Sequence, residues 1–190
     1  MDAPSLDELN RYQERAYSLL KEQSFPESRR MFEKLFEQGV ASAAVYLGYI
    51  FSQTGNPEYD RDKAIHYYKI AAENKDTYAQ YALGALLEKF GNRDEALKWY
   101  CEASNLGHAT CSYSAFRELS ARGNAKASDE FFLRALEQGS PAAIQRRSIQ
   151  KMKGQFGVAA ILTGLFEYIG NIPRMVRFVK EEVSSPGDKR

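Results

Sequence analysis

Side chains able to bind a metal or to act as a nucleophile are few in this chain of 190 residues. The only histidines are His66 and His108, and the only cysteines are Cys101 and Cys111. A zinc site needs three protein ligands when it is catalytic and four when it is structural. We therefore expect both cysteines, on adjacent helices, to pack as small apolar groups. A metal site or enzyme using Cys101, His108 and Cys111 is the weakest alternative.

Catalytic sequence patterns are also scarce. Two segments match the Ser-x-x-Lys pattern of acyl-enzyme nucleophiles, Ser18 to Lys21 and Ser148 to Lys151. The Ser-Asp-Asn and Lys-Thr-Gly elements that accompany this pattern in such enzymes are absent from the sequence. The sequence contains no Gly-rich phosphate loop, no Gly-x-Ser-x-Gly turn and no His-Glu-x-x-His helix. These observations predict a protein that is not an enzyme and that needs no cofactor.

An internal repeat defines the elements that would position functional side chains. Four segments align when the sequence is compared with itself, and their ends, at intervals of 36, 32 and 32 residues, are Gly39, Lys75, Gly107 and Gly139. Each segment carries a bulky pair eight and seven residues before its end: Met31–Phe32, Tyr67–Tyr68, Trp99–Tyr100 and Phe131–Phe132. Repetition at this period is typical of a solenoid of stacked units, which usually presents a binding surface.

Within each unit the apolar residues recur at i, i+3, i+4 and i+7, which is the spacing of a helix with one buried face. Glycine followed by asparagine, as at Gly91, provides the left-handed residue at which the first helix of a unit ends. Trp99 is expected to be buried, because large aromatic side chains fill the space between helices. We predict four helix pairs: 7–23 with 26–38, 41–54 with 61–74, 77–90 with 93–106, and 109–122 with 125–138.

The repeat pattern weakens beyond the fourth unit. Residues 141–153 are predicted to form a further first helix, and residues 156–169 are predicted to form its partner. The partner helix is expected to end at Gly170 and to place Phe166 inward, at the register of Ala103. We expect three regions: a repeat array over 1–139, a degenerate repeat with capping or docking helices over 140–183, and a disordered tail over 184–190.

The segment from Ala43 to Ala72 resembles the Sel-like repeat, a relative of the tetratricopeptide repeat. It reads Ala-x-x-x-Leu-Gly-x-x-Phe-x-x-x-Gly and then Asp-x-x-Lys-Ala-x-x-Tyr-Tyr-x-x-Ala-Ala, and the segment from Ala79 to Ala103 repeats this pattern. The resemblance implies an all-α fold, a right-handed α-solenoid of about five antiparallel helix pairs that serves as a protein-binding adaptor, scaffold or regulator. The spacing of Cys101 and Cys111 differs from that of the disulfide-stapled secreted members.

Tetratricopeptide-like arrays bind partners in a groove lined by the first helices of their repeats, and the resemblance implies such a groove for this chain. The predicted partner-binding residues are Tyr17, Tyr49, Tyr78, Tyr81, Lys89, Tyr113 and Arg117. Tyrosine and arginine are enriched in binding hot spots, and Lys89 and Arg117 would pair with carboxylates of a protein or peptide partner. The alternative is that several of these tyrosines only pack between repeats.

Basic residues flank the apolar segment 156–169, so that residues 146–190 are net +5 whereas residues 1–145 are net −4. The apolar segment is too short for a transmembrane helix, which needs about 20 residues. It would either cap the end of the array or dock on a membrane surface or membrane protein, and capping is the favoured interpretation. The docking residues would be Arg146, Arg147, Lys151, Lys153, Arg174 and Arg177.

Composition limits the compartment and the class of partner. The net charge of +1 does not indicate a nucleic-acid binder. The segment from Met1 to Leu9 lacks the basic and apolar runs of a signal peptide, and two cysteines are too few for a disulfide scaffold. We therefore expect a cytoplasmic protein without a nucleic-acid partner, and peripheral attachment to a membrane is the alternative.

Overall fold

The computed structural model describes residues 5–153 and 163–173, and within these residues the chain is helical with no β-strand. Nine helices have both ends in the described part: α1 Leu6–Lys21, α2 Phe25–Glu37, α3 Ala43–Ser52, α4 Arg61–Glu73, α5 Thr77–Lys89, α6 Arg93–Asn105, α7 Ala109–Ala121, α8 Ala125–Glu137 and α9 Pro141–Met152. Residues 163–173 are also helical and are called α10. The predicted all-α repeat fold is confirmed.

The ends of α1 to α9 lie within two residues of the predicted ends. The predicted and observed helix ends agree because the signals that end a helix are local. Every repeat ends at a residue with positive φ: Gly39 at 84°, Lys75 at 63°, Gly107 at 92° and Gly139 at 78°. The next amide then donates to the carbonyl five residues back, as from Val40 to Leu35 at 3.0 Å. Lys75 adopts this left-handed conformation without being glycine, so the register holds even where the residue type changes.

The chain divides in sequence between Phe90 and Gly91 into two compact units. Unit 1 contains α1 to α5, and unit 2 contains α6 to α10. The predicted boundary at residue 139 stays a prediction. The predicted tail, residues 184–190, lies outside the described residues.

Unit 1 is built around large apolar side chains. The largest of those that are completely or almost completely buried are Phe32, Phe51, Leu35, Leu47, Ile50 and Leu83. Helix α3 approaches α4 closely at Gly48, where a Cβ atom would lie 2.6 Å from Cδ1 of Tyr68. Any larger residue at this position would displace a buried ring, so Gly48 sets the distance between the two helices.

The loop between α3 and α4 is held in place by the side chain of Asn56. Its amide nitrogen donates to the Ile50 carbonyl at 2.9 Å, and its oxygen accepts from the Glu58 amide at 2.9 Å. Glu58 also pairs with Arg29 of α2 at 2.7 Å. Asp60 ends the loop by capping α4 with its carboxylate. The long inter-helix loop is therefore tied to both α2 and α3.

Unit 2 has fewer large buried side chains in its described part, and it has a hydrogen-bond network that joins α6, α7 and α8. The Ser112 hydroxyl lies 2.6 Å from the Ser104 hydroxyl and donates to Gln138 Oε1 at 2.5 Å. Gln138 Nε2 in turn donates to the Ser104 carbonyl at 2.9 Å. Because Ser104 and Ser112 are buried, this network satisfies polar groups that would otherwise destabilise the fold.

The prediction that Trp99 is buried was wrong. Trp99 is half-buried, whereas its neighbour Tyr100 is only 3% exposed. Adjacent residues on an α-helix project about 100° apart, so only one ring of this bulky pair points into the core. We therefore expect Trp99→Ala to cost less stability than the loss of a fully buried aromatic ring.

Helix α10 packs against α9 through one face. A Cβ atom at Gly164 would lie 2.7 Å from Cβ of Lys151, which shows how closely the two helices approach. Glu167 pairs with Lys151 at 2.6 Å, and the Asn171 side chain donates to the Pro141 carbonyl at 3.0 Å. These contacts hold one face of α10 against α9, and capping of the array stays a prediction.

Two predictions about this segment were wrong. Gly170 does not end the helix, because residues 170–173 are helical. Phe166 is 76% exposed and does not point inward. The residues that face α9 are instead Gly164, Glu167 and Asn171, at i, i+3 and i+7, so the register of α10 is shifted from that of the earlier repeats.

Candidate partner-binding cleft

Two of the predicted binding tyrosines in unit 1 take part in its packing, and Tyr17 is the first of them. Its ring lies 6.1 Å from that of Tyr46, and Tyr46 stacks on Phe32 with ring centroids 4.5 Å apart. These three rings come from α1, α3 and α2. Sequence reasoning missed Tyr46, because its aromatic neighbours are distant in the chain and are brought together only by the fold.

Tyr78 is the second predicted binding tyrosine that takes part in the packing of unit 1. It lies near Tyr68, which is 2% exposed. The Tyr68 hydroxyl is 3.4 Å from the Ser52 hydroxyl and interacts with the Tyr78 side chain. Burial, and then the proximity of Tyr78, raise the pKa of Tyr68 well above its ordinary value. Burial also raises the pKa of Tyr49. Tyr78 therefore has a packing role in addition to its predicted binding role.

A cleft of about 560 Å³ lies in unit 1, at the end of α1 and beside the α3–α4 loop. Phe25 and Tyr49 contribute its aromatic side chains, and Gln53 contributes an amide. Tyr81 is half-buried on α5, outside this cleft. Lys89 is exposed at the end of the same helix, with its ammonium group 5.8 Å from the centroid of the Phe90 ring. Tyr49 is thus the predicted binding residue of unit 1 that lines this cleft.

A second cleft, of about 360 Å³, lies in unit 2 and is called the α7–α9 cleft. Tyr113 lines it from α7. The residues that line it from α9 and its C-terminal cap are Ala142, Gln145, Arg146, Ile149, Gln150 and Lys153. The structure thus brings a predicted binding tyrosine together with two of the predicted docking cations. Arg117, the other predicted binding residue on α7, is exposed and lies outside the cleft.

Helix periodicity positions the cleft side of α9. Ala142, Gln145 and Ile149 recur at i, i+3 and i+7, which places them on one face. The helix begins at Pro141, which suits a first turn, and the Ser140 hydroxyl accepts from the Ala143 amide at 3.4 Å. These local signals define the helix, and its packing against α7 and α8 decides which face lines the cleft.

Aromatic rings hold Arg146 at the cleft. Its guanidinium carbon lies 5.0 Å from the centroid of the Phe116 ring. The Phe116 ring is 5.4 Å from Tyr113 and 4.9 Å from Phe132, measured between centroids. A guanidinium group is attracted to the face of an aromatic ring, so this cluster stabilises Arg146 beside Tyr113.

The two other predicted docking cations of α9 share one carboxylate of α10. Lys151 Nζ lies 2.6 Å and Arg147 Nε 3.6 Å from the carboxylate oxygens of Glu167. The hydrogen bond from Lys151 is the main cause that lowers the pKa of Glu167. Arg146 and Lys153, by contrast, pair with no carboxylate in the described part of the chain.

The C-terminal docking region that the sequence predicts is described only in part. Arg174 and Arg177 lie outside the described residues. The described helix α10 exposes four apolar side chains: Leu165, Phe166, Ile169 and Ile172. Among the helices of residues 5–153 and 163–173, none combines the length and the apolar content needed to cross a membrane.

The cysteines and one histidine occupy packing and capping positions. Cys111 is completely buried, whereas Cys101 is half-buried and burial raises the pKa of its thiol. His108 Nδ1 accepts from the Cys111 amide at 3.3 Å and so caps α7. In the part of the chain that the structure describes, no three His, Cys, Asp or Glu side chains gather as a metal site would require.

Comparisons with solved structures establish the fold. A Sel1 repeat protein from Oxalobacter formigenes has a TM-score of 0.64 and 23% identity, with 84% of this chain and 69% of that chain covered. MamA has a TM-score of 0.60 and 14% identity, with 85% and 96% covered. BtubC from P. vanneervenii has a TM-score of 0.53 and 16% identity, with 92% and 81% covered.

Comparisons with curated sequences find relatives of part of the chain. "DAP3-binding cell death enhancer 1" of Rattus norvegicus is 33% identical over 92 residues, which are 45% of this chain and 18% of that protein. The Mus musculus protein of the same name is 33% identical over 99 residues, 50% of this chain and 17% of that protein. The chain thus spans less than a fifth of the length of these relatives.

The sequence pattern of the Sel1 repeat matches residues 41–76 and residues 77–108. The first match covers α3 and α4, and the second covers α5 and α6. Each match ends one residue after a repeat end that the internal comparison identified, the first after Lys75 and the second after Gly107. The chain is therefore an all-α helical-repeat protein that contains two Sel1 repeats.

Proposed function

We propose that this chain is a non-enzymatic protein-interaction adaptor and that a segment of its partner lies in the α7–α9 cleft. Sel1 repeats typically mediate protein–protein interaction, and the helical-repeat fold is in general a binding scaffold. The observation that carries the location is the convergence of Tyr113, Arg146 and Lys153 on one cleft of unit 2, between the first helices of successive repeats.

The lining of the cleft has the composition of a binding hot spot. Tyr113 and Ile149 supply apolar contact area, Arg146 supplies a charged group with several donors, and Gln145 supplies an amide. The volume of about 360 Å³ is within the range of about 300–1,000 Å³ that is usual for ligand pockets. These features support the capture of a few side chains of a partner segment.

The other predicted binding residues remain in this proposal as secondary contacts: Tyr17, Tyr49, Tyr78, Tyr81, Lys89 and Arg117. The rat and mouse relatives are named as DAP3-binding proteins. Their likeness to half or less of this chain supports a protein-binding role for the matched residues.

The test is site-directed photocrosslinking in a lysate of the source cells. A benzoylphenylalanine residue replaces Gln145 in the cleft or, as the matched control, Lys126, which is exposed on α8. We expect one partner protein to be joined to position 145 and not to position 126. The additional substitution Tyr113→Ala should abolish the product. Equal labelling from both positions, or none from position 145, would exclude the cleft as the binding site.

Point substitutions are needed because α9 supplies most of the cleft. A truncation after Gly139 would remove α9 and α10 together, so it could not separate a binding groove from a docking tail. Circular dichroism and the urea unfolding midpoint of Tyr113→Ala provide the control for folding. An unfolded Tyr113→Ala protein would be replaced in the test by Ile149→Ser, since Ile149 lines the same cleft from α9.

A second candidate function, attachment to an anionic membrane surface, is supported by the outer face of α10. Phe166 is 76% exposed, and Leu165 and Ile169 are 45% and 55% exposed. Such a function predicts flotation with vesicles that contain phosphatidylserine, weakened by salt and abolished by Phe166→Ser. Flotation that is absent, or that is unchanged by Phe166→Ser, would exclude this role for α10.

A further inference from the structure

Cations on α9 fall into two pairs with opposite surroundings. Arg147 and Lys151 pair with Glu167 of α10. Arg146 and Lys153 line the α7–α9 cleft, and no acidic residue is among the side chains that line it. Within the part of the chain that the structure describes, the cleft therefore carries two positive charges without a compensating carboxylate.

We propose that the α7–α9 cleft binds an acidic peptide segment of a partner protein, with carboxylates placed on Arg146 and Lys153. This inference rests on the protein-interaction function proposed above and specifies the chemistry of its ligand. A guanidinium group offers a fork of N–H donors that matches the two oxygens of a carboxylate, and an ammonium group adds a point charge.

The surroundings of Arg146 favour a ligand of this kind. The guanidinium group lies over the Phe116 ring, with its central carbon 5.0 Å from the ring centroid. Packing on a ring uses the face of the guanidinium plane, whereas hydrogen bonds to carboxylates use its edge. Arg146 is exposed, so its donors are accessible to a carboxylate while the ring contact restrains the side chain.

The spacing of the two cations defines the ligand further. Arg146 and Lys153 are seven residues apart, and at 1.5 Å per residue this is roughly 10 Å along α9. In a polyproline II segment, residues three apart lie on the same side and are separated by about 9 Å. We therefore expect the ligand to present an acid-x-x-acid pattern in an extended conformation.

Neutral side chains of the cleft suit an extended backbone. Gln145 and Gln150 carry amide groups, and Tyr113 carries a phenol. An extended segment has no internal backbone hydrogen bonds, so its amides and carbonyls need partners from the protein that binds it. Backbone contacts to these groups would hold the segment while the two cations select its charge.

The test is a nuclear magnetic resonance titration of the full chain with two synthetic peptides. The acidic probe is Gly-Glu-Pro-Pro-Glu-Gly, and the neutral control is Gly-Gln-Pro-Pro-Gln-Gly. We expect the acidic probe to shift the amide signals of α7 and α9 and to bind at least about tenfold more tightly than the control, because only the acidic probe makes charge-assisted hydrogen bonds. Added salt should weaken its binding.

Substitutions on α9 provide matched controls, because two adjacent arginines have different surroundings. Arg146→Gln should weaken binding of the acidic probe about tenfold. Both residues are exposed, but Lys153→Gln removes a point charge and not a fork of donors, so it should weaken binding only about threefold. Arg147→Gln removes the same charge from the side paired with Glu167 and should change the affinity less than twofold. Unchanged circular dichroism must accompany each result.

Several outcomes would overturn the proposal, and they can be told apart. Equal effects of Arg146→Gln and Arg147→Gln would show that only net charge matters. Equal affinity for both probes at α7 and α9 would remove the acid selectivity but keep the cleft as a protein-binding site. If neither probe shifts these helices and position 145 captures no protein, the proposed function fails as well. Loss of the α7 and α9 amide signals with phosphatidylserine vesicles, prevented by Arg146→Gln, would assign the site to lipid.

Discussion

The two units satisfy the same repeat spacing with different kinds of core. Unit 1 buries large apolar side chains such as Phe32, Phe51 and Leu47. The described part of unit 2 buries fewer of them, chiefly Tyr100 and Phe116, which are 3% and 6% exposed. Burial of a large apolar side chain contributes about 1.5–3 kcal/mol, whereas a hydrogen bond contributes about 1 kcal/mol net. The repeat period therefore specifies where helices lie and not what kind of contact holds them together.

The difference between the two cores also affects the candidate site, which lies in unit 2. Apolar contacts are non-directional, whereas hydrogen bonds and ion pairs require defined geometry. The contacts of Gln138 and Glu167 set the positions of α8 and α10 in this way. Directional contacts can therefore help to orient the surface of α9, although unit 2 buries few large side chains.

The largest predicted effect is in unit 1, at Phe51. This residue is 2% exposed, and its ring stacks on that of Tyr67 with centroids 5.7 Å apart. Phe51→Ala should lower the free energy of unfolding by about 3–5 kcal/mol, because it removes a buried ring and leaves a cavity. Phe132→Ala, at a half-buried ring of unit 2, should cost less. Urea unfolding followed by circular dichroism measures both, and equal losses would contradict the difference between the cores.

A smaller effect is expected at Gln138 of unit 2. Gln138→Ala removes two hydrogen bonds, one from the buried Ser112 hydroxyl and one to the Ser104 carbonyl, which together should cost about 1–3 kcal/mol. The matched control in unit 1 is Gln80→Leu, because this buried side chain makes one such bond, from Nε2 to the Ala72 carbonyl at 3.1 Å, and its Oε1 has no hydrogen-bond partner in the described residues. The same urea experiment should show a smaller loss for Gln80→Leu. A larger loss there would mean that unit 1 also depends on polar contacts.

The attachment of α10 should weaken in acid. Contacts with Lys151, and then the charge of Arg147, lower the pKa of Glu167 from its ordinary value. A lowered pKa in the folded state means that the carboxylate stabilises the fold above its ordinary pKa, and that this contribution is lost as pH falls through the lowered value. The contribution should be less than about 1 kcal/mol, because the pair is partly exposed.

Amide hydrogen exchange of α10, corrected for intrinsic rates, measures this pH dependence. Glu167→Gln should show weaker protection of α10 at neutral pH and no further loss of protection in acid. Helix α8, whose contacts do not include Glu167, serves as the internal reference. A pH dependence that persists in Glu167→Gln would have to be assigned to another titratable group.

The smallest effects are expected at the ends of the repeats. Lys75 holds a φ of 63°, so Lys75→Gly should stabilise the protein by less than about 1 kcal/mol, since relief of the left-handed conformation is offset by chain entropy. Gly107→Ala at the corresponding position of unit 2 should destabilise it by about 1 kcal/mol. Differential scanning calorimetry compares the two. Destabilisation by Lys75→Gly would show that the lysine side chain has a role of its own.

Local sequence patterns were enough to predict the bounds of α1 to α9. Apolar spacing, left-handed repeat ends and caps are local features, as at Asp76, which accepts from the Ala79 amide at 2.7 Å and starts α5. Such features act within a few residues, so they can be recognised without the fold. The burial of Trp99 and the orientation of Phe166 could not be predicted in this way, because each depends on which helices pack nearby.

Which of these polar and charged residues lie together depends on the tertiary structure. The sequence predicted Tyr113 for a groove and Arg146 and Lys153 for a separate docking region, and the fold places all three at one cleft. Arg146 and Arg147 are adjacent and identical in type, yet one lies over Phe116 and the other beside a carboxylate of α10. Neighbouring residues on a helix project about 100° apart, so α7 and α10, packed on different sides of α9, select different arginines.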